Sequence, residues 1–312
     1  MQHLVVGEES EGQRIDNFLI RCLKGVPKSH IYRIIRSGEV RRNKGRVSAQ
    51  DRVEVGDVIR VPPVRVSSRP DADVRAPARD FAILFEDDGF LAVDKPAGVA
   101  VHGGSGVSFG VIEQLRQSRP QARMLELVHR LDRETSGLLL VAKKRSALRS
   151  LQEQFRQRST GKTYLTLVAG HWPQNLKVLD QPLYKYLQAD GERRVRVCQA
   201  GDEGAMTALS LVKVAQRYTL GELHFSLLEV TIKTGRTHQI RVHLSSAGYP
   251  IAGDDKYGQF DLNKRLAKLG LKRMFLHAWR LRLINPSTDE SLELHSELSV
   301  DLRDWLNTLG EQ

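Results

Sequence analysis

Two short amphipathic helices are predicted near the start of the chain from the spacing of its apolar residues. Residues 14–22 carry an apolar stripe that recurs every three or four positions, as one face of a helix does. A break at Pro27 separates it from a second stripe, which predicts a helix over His30–Arg36 with Ser29 as its N-cap. Each helix would bury one face and leave basic residues on the other.

Short strands are predicted directly after this helix pair. Residues 40–47 place the turn formers Asn43-Lys44-Gly45 between two short runs, a pattern typical of a tight hairpin. Residues 53–61 alternate between apolar and polar positions and predict another pair of strands. Two helices on a small sheet make a viable but marginal domain at about sixty residues.

The remainder of the chain has a different pattern, rich in strands. Residues 64–80 show neither the helical spacing nor the strand alternation of apolar residues. They are rich in Pro, Ala, Ser and charged residues, which predicts a linker. Two apolar runs around Asp87-Asp88-Gly89 predict a hairpin. Further strands are predicted at residues 136–141, 162–170, 223–233 and 274–284, and helices at 147–158, 237–247 and 301–309. We therefore expect an α+β fold, with a mostly antiparallel mixed sheet in the larger part.

Charge separates the two parts further. Over 312 residues, 48 Lys and Arg oppose 37 Asp and Glu, so the formal net charge is +11. Residues 10–70 hold 14 of these basic residues and 6 of the acidic ones, so this fifth of the chain carries a net +8. Such clustering is the expected footprint of phosphate binding, although a solvated basic surface gives the same pattern. The predicted RNA-binding residues of this part are Lys28, Arg33, Arg36, Arg41 and Arg42.

Several classes of protein lose support because their sequence signals are missing. Cys22 and Cys198 are too far apart for a CxxC metal site, and two cysteines make no disulfide framework. The sequence has no apolar run of about 18 residues and no secretory signal pattern, so we expect a cytoplasmic protein without membrane spans. It also lacks a P-loop, a GxGxxG after a strand and an HExxH, which argues against nucleotide hydrolysis, dinucleotide redox chemistry and zinc proteolysis.

The densest polar cluster is HRLDRETSG, residues 129–137, which leads into a strand predicted to be buried. Loops held by a rigid scaffold often carry catalytic groups. Asp132 stands between Arg130 and Arg133, and two interpretations fit this string. The carboxyl group could form a structural ion pair, or its positive neighbours could keep it ionised as a nucleophile or general base.

A second cluster, TGRTHQIRVH at residues 234–243, lies where a predicted strand turns into a helix. Its glycine permits a tight turn, and the free N–H groups at the start of the helix could face an anion. Arg236 could contact a phosphate or pair with Asp132. His238 and His243 are five residues apart and do not match the helical spacing of a metal pair, so we expect no metal site.

Tyr164 lies on the strand predicted at residues 162–170 and has two possible uses. Most tyrosines on strands simply pack against their neighbours. This one could instead stack on a base extruded from RNA, a contact worth about 1–3 kcal/mol. The residues alone therefore predict a two-domain protein that binds RNA or DNA, with Asp132 as its candidate catalytic group.

The string HRLDRETSGLLLVAK, residues 129–143, resembles without a gap the catalytic motif of the RNA pseudouridine synthase family. Other strings of that family occur in the family's order, namely KPAG at 95–98, KTY at 162–164, TGRTHQIR at 234–241 and FLHA at 275–278. The basic part resembles the S4-type RNA-binding domain through Arg14-x-Asp16-x-x-Leu19, Lys28-Ser29, Ser37-Gly38-x-Val40 and Asn43. The resemblance divides the chain into an S4-type domain at 13–75, the end of a linker at 76–80 and a pseudouridine synthase catalytic domain at 81–312.

What the resemblance implies is an isomerase that needs no cofactor and acts on uridines of large-subunit ribosomal RNA. The target uridine leaves its stack, the carboxylate matching Asp132 promotes cleavage of the glycosidic bond, and the uracil rejoins the ribose through carbon-5. Tyr164 matches the tyrosine that stacks on the base and helps the late deprotonation, and Arg236 matches the basic partner of the aspartate. Arg130 matches a residue that fills the gap left by the flipped base, and His129 beside it is assigned to RNA binding. We expect a monomer.

Two alternatives remain at this point. The chain could be a non-catalytic RNA-binding or ribosome-assembly factor in which Asp132 is only salt-bridged. It could also be a glycoside hydrolase that uses Asp132 and Glu134 as its paired carboxylates. The basic excess and the RNA-binding part disfavour the hydrolase.

Overall fold

The computed structural model describes residues 1–23, 25–64, 76–104, 108–188 and 191–311. The chain divides into two compact units, Met1–Ala76 and Pro77–Gln312. Most of the linker predicted at residues 64–80 lies outside the described residues. In the part of the chain that the structure describes, no helix has the length and apolar character needed to cross a membrane.

The small unit packs two helices, α1 (Ile15–Cys22) and α2 (Lys28–Arg36), into one apolar core with a sheet. The sheet is antiparallel and has the order β1-β4-β2-β3. Its strands are β1 (Gln2–Val5), β2 (Arg41–Arg42), β3 (Gly45–Arg46) and β4 (Val58–Val61). Because the apolar stripes of both helices point into this core, the basic residues of α2 stay on the outer face.

Three sequence predictions for this unit have different outcomes. The turn between β2 and β3 is confirmed, since Asn43 and Lys44 have φ of 49° and 72°, as a two-residue hairpin turn requires. The cap predicted at Ser29 is wrong, because α2 begins at Lys28 after Pro27 and has no side-chain cap. The strand pair predicted at residues 53–61 is wrong too: only β4 forms there, and it pairs with β2 and with the N-terminal β1, whose residues are mostly exposed.

The large unit is built on a mixed sheet of eleven strands among the described residues. Its main path has the order β10-β13-β14-β9-β15-β8-β6-β5, with β16, β17 and β7 attached beside it. These strands are β5 (Ile83–Glu86), β6 (Phe90–Lys95), β7 (Glu126–Leu127), β8 (Ser136–Ala142), β9 (Gly161–Ala169), β10 (Val178–Leu179), β13 (Ser210–Leu220), β14 (Leu223–Ile232), β15 (Leu276–Ile284), β16 (Ser291–His295) and β17 (Gly310–Glu311). Within the described ranges, the pair β8–β15 is parallel and the other pairs are antiparallel. The predicted α+β fold with a mostly antiparallel sheet is confirmed.

Five helices and a separate hairpin complete the large unit as described. The hairpin joins β11 (Leu183–Leu187) to β12 (Arg193–Val197). The helices are α3 (Val111–Ser118), α4 (Arg145–Arg156), α5 (Gln239–Ser246), α6 (Phe260–Lys268) and α7 (Val300–Leu306). Buried apolar side chains form two large clusters, and Tyr164 packs against both of them.

Strand register brings the family strings together in the middle of the sheet. Tyr164 on β9 pairs with Ala278 on β15, and Ala278 pairs in turn with Gly137 on β8. Gly137 has φ of 104°, and a Cβ built on it would lie 2.3 Å from the Ala278 carbonyl oxygen, so no larger residue fits there. The loop that carries Asp132 therefore ends at β8, one strand away from Tyr164, with β15 between them.

Candidate active site

Asp132 lies in the loop between β7 and β8, at the bottom of an open pocket in the large unit. Its side chain is 25% exposed, and its Oδ2 atom is 3.4 Å from Nη1 of Arg241. The same oxygen is 3.9 Å from Nε2 of His238. The carboxylate thus faces a cation and an imidazole while it remains accessible to a ligand.

Arg241 is held in place by a second carboxylate. It lies in α5, is 4% exposed, and donates from Nε and Nη2 to the two oxygens of Asp254 at 2.8 and 2.7 Å. Burial would lower the pKa of Arg241, but the bonds to Asp254 and the nearby Asp132 outweigh it and raise the pKa above its ordinary value. This two-point contact leaves Nη1 of a fixed guanidinium directed at Asp132.

Arg236 does not pair with Asp132, so the partner expected from the resemblance is corrected. Its Nε donates to the carbonyl of Thr207 at 3.0 Å, although its side chain lines the same pocket. The reason is the turn before α5, where the Arg236 backbone N–H donates to Oε1 of Gln239 and the chain reverses. Arg241, five residues on, enters a helix that is buried along nearly its whole length.

Tyr164 lies in the pocket beside Asp132, as expected. Burial raises the pKa of its phenol well above the usual value, and Asp132 adds to the effect. The hydroxyl is therefore protonated at neutral pH, and the ring offers a flat face rather than a negative charge.

The pocket is an open cleft of about 460 Å³, a volume that includes the space at its mouth. Apolar side chains of Ile232 and Leu276 line part of it. Its polar side chains belong to Arg130, Asp132, Tyr164, Arg236, His238 and Arg241. An apolar wall next to a carboxylate and a guanidinium suits a planar, polar ring such as a nucleobase.

His129 and Arg130 are neighbours with different placements. Arg130 is exposed and lines the pocket, as a residue that meets RNA should. His129 instead accepts the N–H of Leu140 at its Nε2 atom and stacks on Phe155 at 4.8 Å. Burial, reinforced by the nearby Lys162, lowers the pKa of His129 to about 4, so the ring is neutral. We therefore interpret His129 as a structural residue rather than an RNA-binding one, because its Nε2 lone pair and its stacked ring face contact the protein.

The loop of Asp132 is anchored by Lys95, a residue to which sequence reasoning assigned no role. Lys95 has no exposed surface, and its Nζ donates to the carbonyls of Pro96, Val99 and Arg133 at 2.8, 2.8 and 3.0 Å. Gly98 and Arg133 exchange two further hydrogen bonds, at 2.9 and 3.0 Å. The KPAG string thus clasps the residue that directly follows Asp132. Burial lowers the pKa of Lys95 to about 7.

The basic residues predicted in the small unit differ in how free they are. Lys28, Arg33 and Arg36 are exposed on α2, although Arg33 also lies 3.8 Å from Glu39. Arg41 and Arg42 are half-buried on β2. Arg42 is 3.7 Å from Asp57 and donates to the carbonyl of Arg52 at 2.6 Å, so part of its charge serves the fold.

No group of three or more His, Cys, Asp or Glu side chains in the described ranges is placed to hold a metal ion. The histidine pair considered from the sequence is divided between two environments. His238 faces Asp132, whereas His243 is fully buried and contacts Ser210 and the carbonyl of Gln181.

Comparison with known proteins identifies relatives of both units. The chain matches the family model for RNA pseudouridylate synthases over residues 89–246 and that of the S4 domain over residues 13–59. Ribosomal large subunit pseudouridine synthase C of Haemophilus influenzae is 50% identical over 99% of this chain and 95% of its own length. The protein of the same name from Yersinia pestis is 51% identical over 99% of this chain and 96% of its own length. The string GVPKSHIYRIIRSGEV at residues 25–40 is also similar to the corresponding part of the proteins that carry this name.

Solved structures show the same fold. Human RNA pseudouridylate synthase domain containing 1 aligns with a TM-score of 0.59 at 27% identity, over 75% of this chain and 89% of its own. Human RNA pseudouridylate synthase domain containing 4 aligns with a TM-score of 0.58 at 28% identity, over 73% of this chain and 93% of its own.

Proposed function

We propose that this chain, which belongs to the RNA pseudouridylate synthase family and is an RNA pseudouridine synthase, isomerises uridines of large-subunit ribosomal RNA. The observation that carries the assignment to the site is the carboxylate of Asp132 beside the fixed guanidinium of Arg241, in a pocket that also holds Tyr164. The substrate is supported by the names of relatives about 50% identical over nearly the whole chain. An S4 domain with exposed cations on α2 supports binding to RNA.

The reaction begins when the target uridine leaves the RNA stack, because its glycosidic bond is out of reach inside a helix. The uracil then enters the pocket, where the ring of Tyr164 supplies a stacking surface and Leu276 supplies apolar contact. Arg130, exposed beside the pocket, is placed to occupy the space that the base leaves. Because the hydroxyl of Tyr164 is protonated, it has no negative charge with which to act as a base, and we assign Tyr164 to stacking on the uracil.

Asp132 acts on the bound uridine, either by attack on the anomeric carbon or the uracil ring or by promoting glycosidic cleavage in another way. The bond between N1 and C1′ breaks, the uracil turns, and a bond forms between C5 and C1′. C5 loses its proton and N1 gains one, so the product is an isomer and the atoms balance without a co-substrate. Arg241 stabilises the negative charge of Asp132 whenever the carboxylate is free.

Further parts of the proposal follow from this chemistry. We propose that the reaction needs no cofactor, because its atoms and electrons balance with uridine and the residues of the pocket alone. We propose a monomer as the active form, as expected from the sequence. Action on ribosomal RNA is consistent with a cytoplasmic location, which we also propose. The domain limits 13–75, 76–80 and 81–312 are proposed as the functional division.

The glycoside hydrolase has no support from the geometry. Glu134 contacts Arg133 at 3.4 Å and is absent from the lining of the pocket that contains Asp132. A second carboxylate is needed on the other side of the scissile bond for that chemistry. Free uracil should not accumulate when the enzyme acts on RNA.

The test is Asp132→Asn, assayed on a large-subunit ribosomal RNA transcript by chemical mapping of pseudouridine. We expect no product from the variant and an unchanged dissociation constant for RNA, since Asn has nearly the same shape but no charge. Product at the wild-type rate would remove Asp132 from the mechanism. Mapping ribosomal RNA from cells with and without the gene identifies the uridines concerned.

A further inference from the structure

His238 occupies an unusual backbone position next to the catalytic carboxylate. It stands directly before α5 with φ of 53°, in the left-handed region that residues other than glycine rarely adopt. Such positions persist where the surrounding structure determines them, and they cluster at functional sites. Its side chain is 14% exposed, and its Nε2 atom is 3.9 Å from Oδ2 of Asp132.

The other ring nitrogen of His238 is held by Tyr257. The Nδ1 atom lies 2.8 Å from the Tyr257 hydroxyl, which also accepts the backbone N–H of Val195 at 3.0 Å. With its oxygen engaged by Val195, the hydroxyl satisfies its own proton by donating it to Nδ1. A neutral imidazole that accepts at Nδ1 carries its proton at Nε2, and that N–H faces Asp132.

Burial keeps the ring of His238 neutral. Burial lowers the pKa of His238, and Arg241 and Lys256 lower it further, whereas Asp132 and Asp254 offset this only in part. A neutral ring has one proton to place, so its partner at Nδ1 decides which nitrogen carries it. Asp132 therefore meets two different donors, the cationic Arg241 and the uncharged imidazole.

We propose that His238 is a positioning residue that presents its Nε2–H to Asp132 and fixes the orientation of the carboxylate during the reaction, with Tyr257 selecting the tautomer. The proposal rests on the proposed function of Asp132. Contacts between catalytic groups are often long in the free enzyme and shorten in the complex, which here means closing a gap of 3.9 Å.

The same contacts connect the hairpin β11–β12 to the carboxylate. Val195 belongs to β12, and the guanidinium of its neighbour Arg194 lies 5.7 Å from the centre of the Tyr257 ring. The groove along this hairpin is lined by Lys185, Arg193 and Lys256, and it includes Arg130 and His238, which also line the catalytic pocket. RNA bound in this groove would contact the hairpin β11–β12, whose Val195 holds the Tyr257 hydroxyl.

The kinetic test compares His238→Gln with His238→Leu. Glutamine can place an amide N–H near the position of Nε2, whereas leucine has no donor. Both residues are strained to a similar extent by the left-handed backbone at this position, so the strain does not distinguish the two variants. We expect His238→Leu to slow single-turnover pseudouridine formation by about ten- to one-hundredfold, as for loss of one hydrogen bond to a charged group. RNA affinity should be unchanged, and His238→Gln should keep most of the rate. A wild-type rate for the leucine variant, or equal losses in both variants, would overturn the proposal.

A measurement that needs no activity separates this proposal from the function on which it rests. In protein labelled with ¹⁵N-histidine, NMR should show the His238 ring, assigned by its loss in His238→Gln, as the neutral Nε2–H tautomer. Tyr257→Phe should shift the ring toward a mixture of tautomers and slow the reaction. A ring protonated at Nδ1, or at both nitrogens, in the wild-type protein at neutral pH would overturn the proposal. Absence of pseudouridine formation by the wild type would instead overturn the function, with the NMR result unaffected.

Discussion

The basic residues on α2 of the small unit and those around Asp132 carry the same charge in opposite surroundings. Lys28 and Arg36 lie exposed on α2, whereas Arg241 is 4% exposed and Lys95 has no exposed surface. An exposed cation is screened by water and salt and adds little to stability. A buried cation needs partners, because an unpaired charge inside a protein is costly. The exposed cations of the small unit are therefore free to contact a partner molecule, whereas the buried cations near the pocket are bonded to other groups of the same chain.

The largest effect should come from breaking a buried pair. Asp254→Asn leaves the guanidinium of Arg241 buried with only part of its compensation. We expect a loss of about 3–5 kcal/mol in the free energy of unfolding, which is the usual cost of removing one partner from a buried ion pair. Denaturant unfolding followed by circular dichroism measures it.

The control for this variant lies one residue further on. Asp255 also faces Nη2 of Arg241, at 3.4 Å, but its side chain is 71% exposed. Asp255→Asn should cost less than about 1 kcal/mol, as exposed pairs do. Equal losses for the two variants would show that burial does not set the difference between the two kinds of cation.

The next largest effect concerns the rate rather than stability. Arg241→Gln removes the fixed charge beside Asp132 and should slow single-turnover pseudouridine formation by about 10²–10³-fold, as for loss of one preorganised donor. Arg236→Gln is the matched variant in the same pocket, and it should slow the reaction far less because Arg236 is bonded to Thr207. A larger loss in Arg236→Gln would reverse the assignment made from the structure.

The contrast between these two arginines shows how far sequence reasoning reaches. The hairpin at residues 83–95 and strands β8, β9 and β14 could be predicted, because a run of apolar residues is a local signal. Strand register then brings several of the family strings together, which their order along the chain did not show. Arg241 belongs to one of these strings, yet nothing local distinguishes it from Arg236.

What sequence reasoning missed are contacts between distant segments. The role of Arg241 follows from its contacts with Asp254 and Asp132. Asp254 lies thirteen residues after Arg241 in the chain, and Asp132 lies 109 residues before it. The hairpin β11–β12 was also missed, since its strand sequences, LYKYL and RRVRV, are short and contain few apolar residues. One signal was available: an arginine between two apolar residues of a predicted helix, Ile240 and Val242, needs an acidic partner if it is buried, and GDD at residues 253–255 supplies it.

A smaller effect should appear as a pH dependence of stability. The pKa of Lys95 falls from 10.5 in the unfolded chain to about 7 in the folded one because of burial. Between these values the unfolded chain holds a proton that the folded chain has released, so stability rises with pH, by up to about 1.4 kcal/mol per pH unit. Below pH 7 both states are protonated, and the contribution of Lys95 is constant.

Comparing the wild type with Lys95→Met isolates this contribution. Urea unfolding from about pH 6 to about pH 10 should give a stability difference that is flat at first and then moves in favour of the wild type above about pH 7. Parallel curves over the whole range would mean that Lys95 is as well solvated as the exposed Lys28 of α2, and the contrast between buried and exposed cations would not hold for Lys95.

The smallest effects belong to the exposed cations of the small unit. Lys28→Ala and Arg36→Ala should each leave the free energy of unfolding within about 0.5 kcal/mol of the wild type. Each should weaken RNA binding uniformly and reduce the slope of log affinity against log salt by about 1, because one phosphate contact is lost.

Lys268→Ala, on the exposed face of α6, is the matched control for charge alone. If all three variants change the salt slope equally, RNA binding follows from net charge, and the small unit is no more than a solvated basic surface. If Lys28 and Arg36 alone change it, α2 contacts the RNA backbone, and the two kinds of cation serve separate tasks.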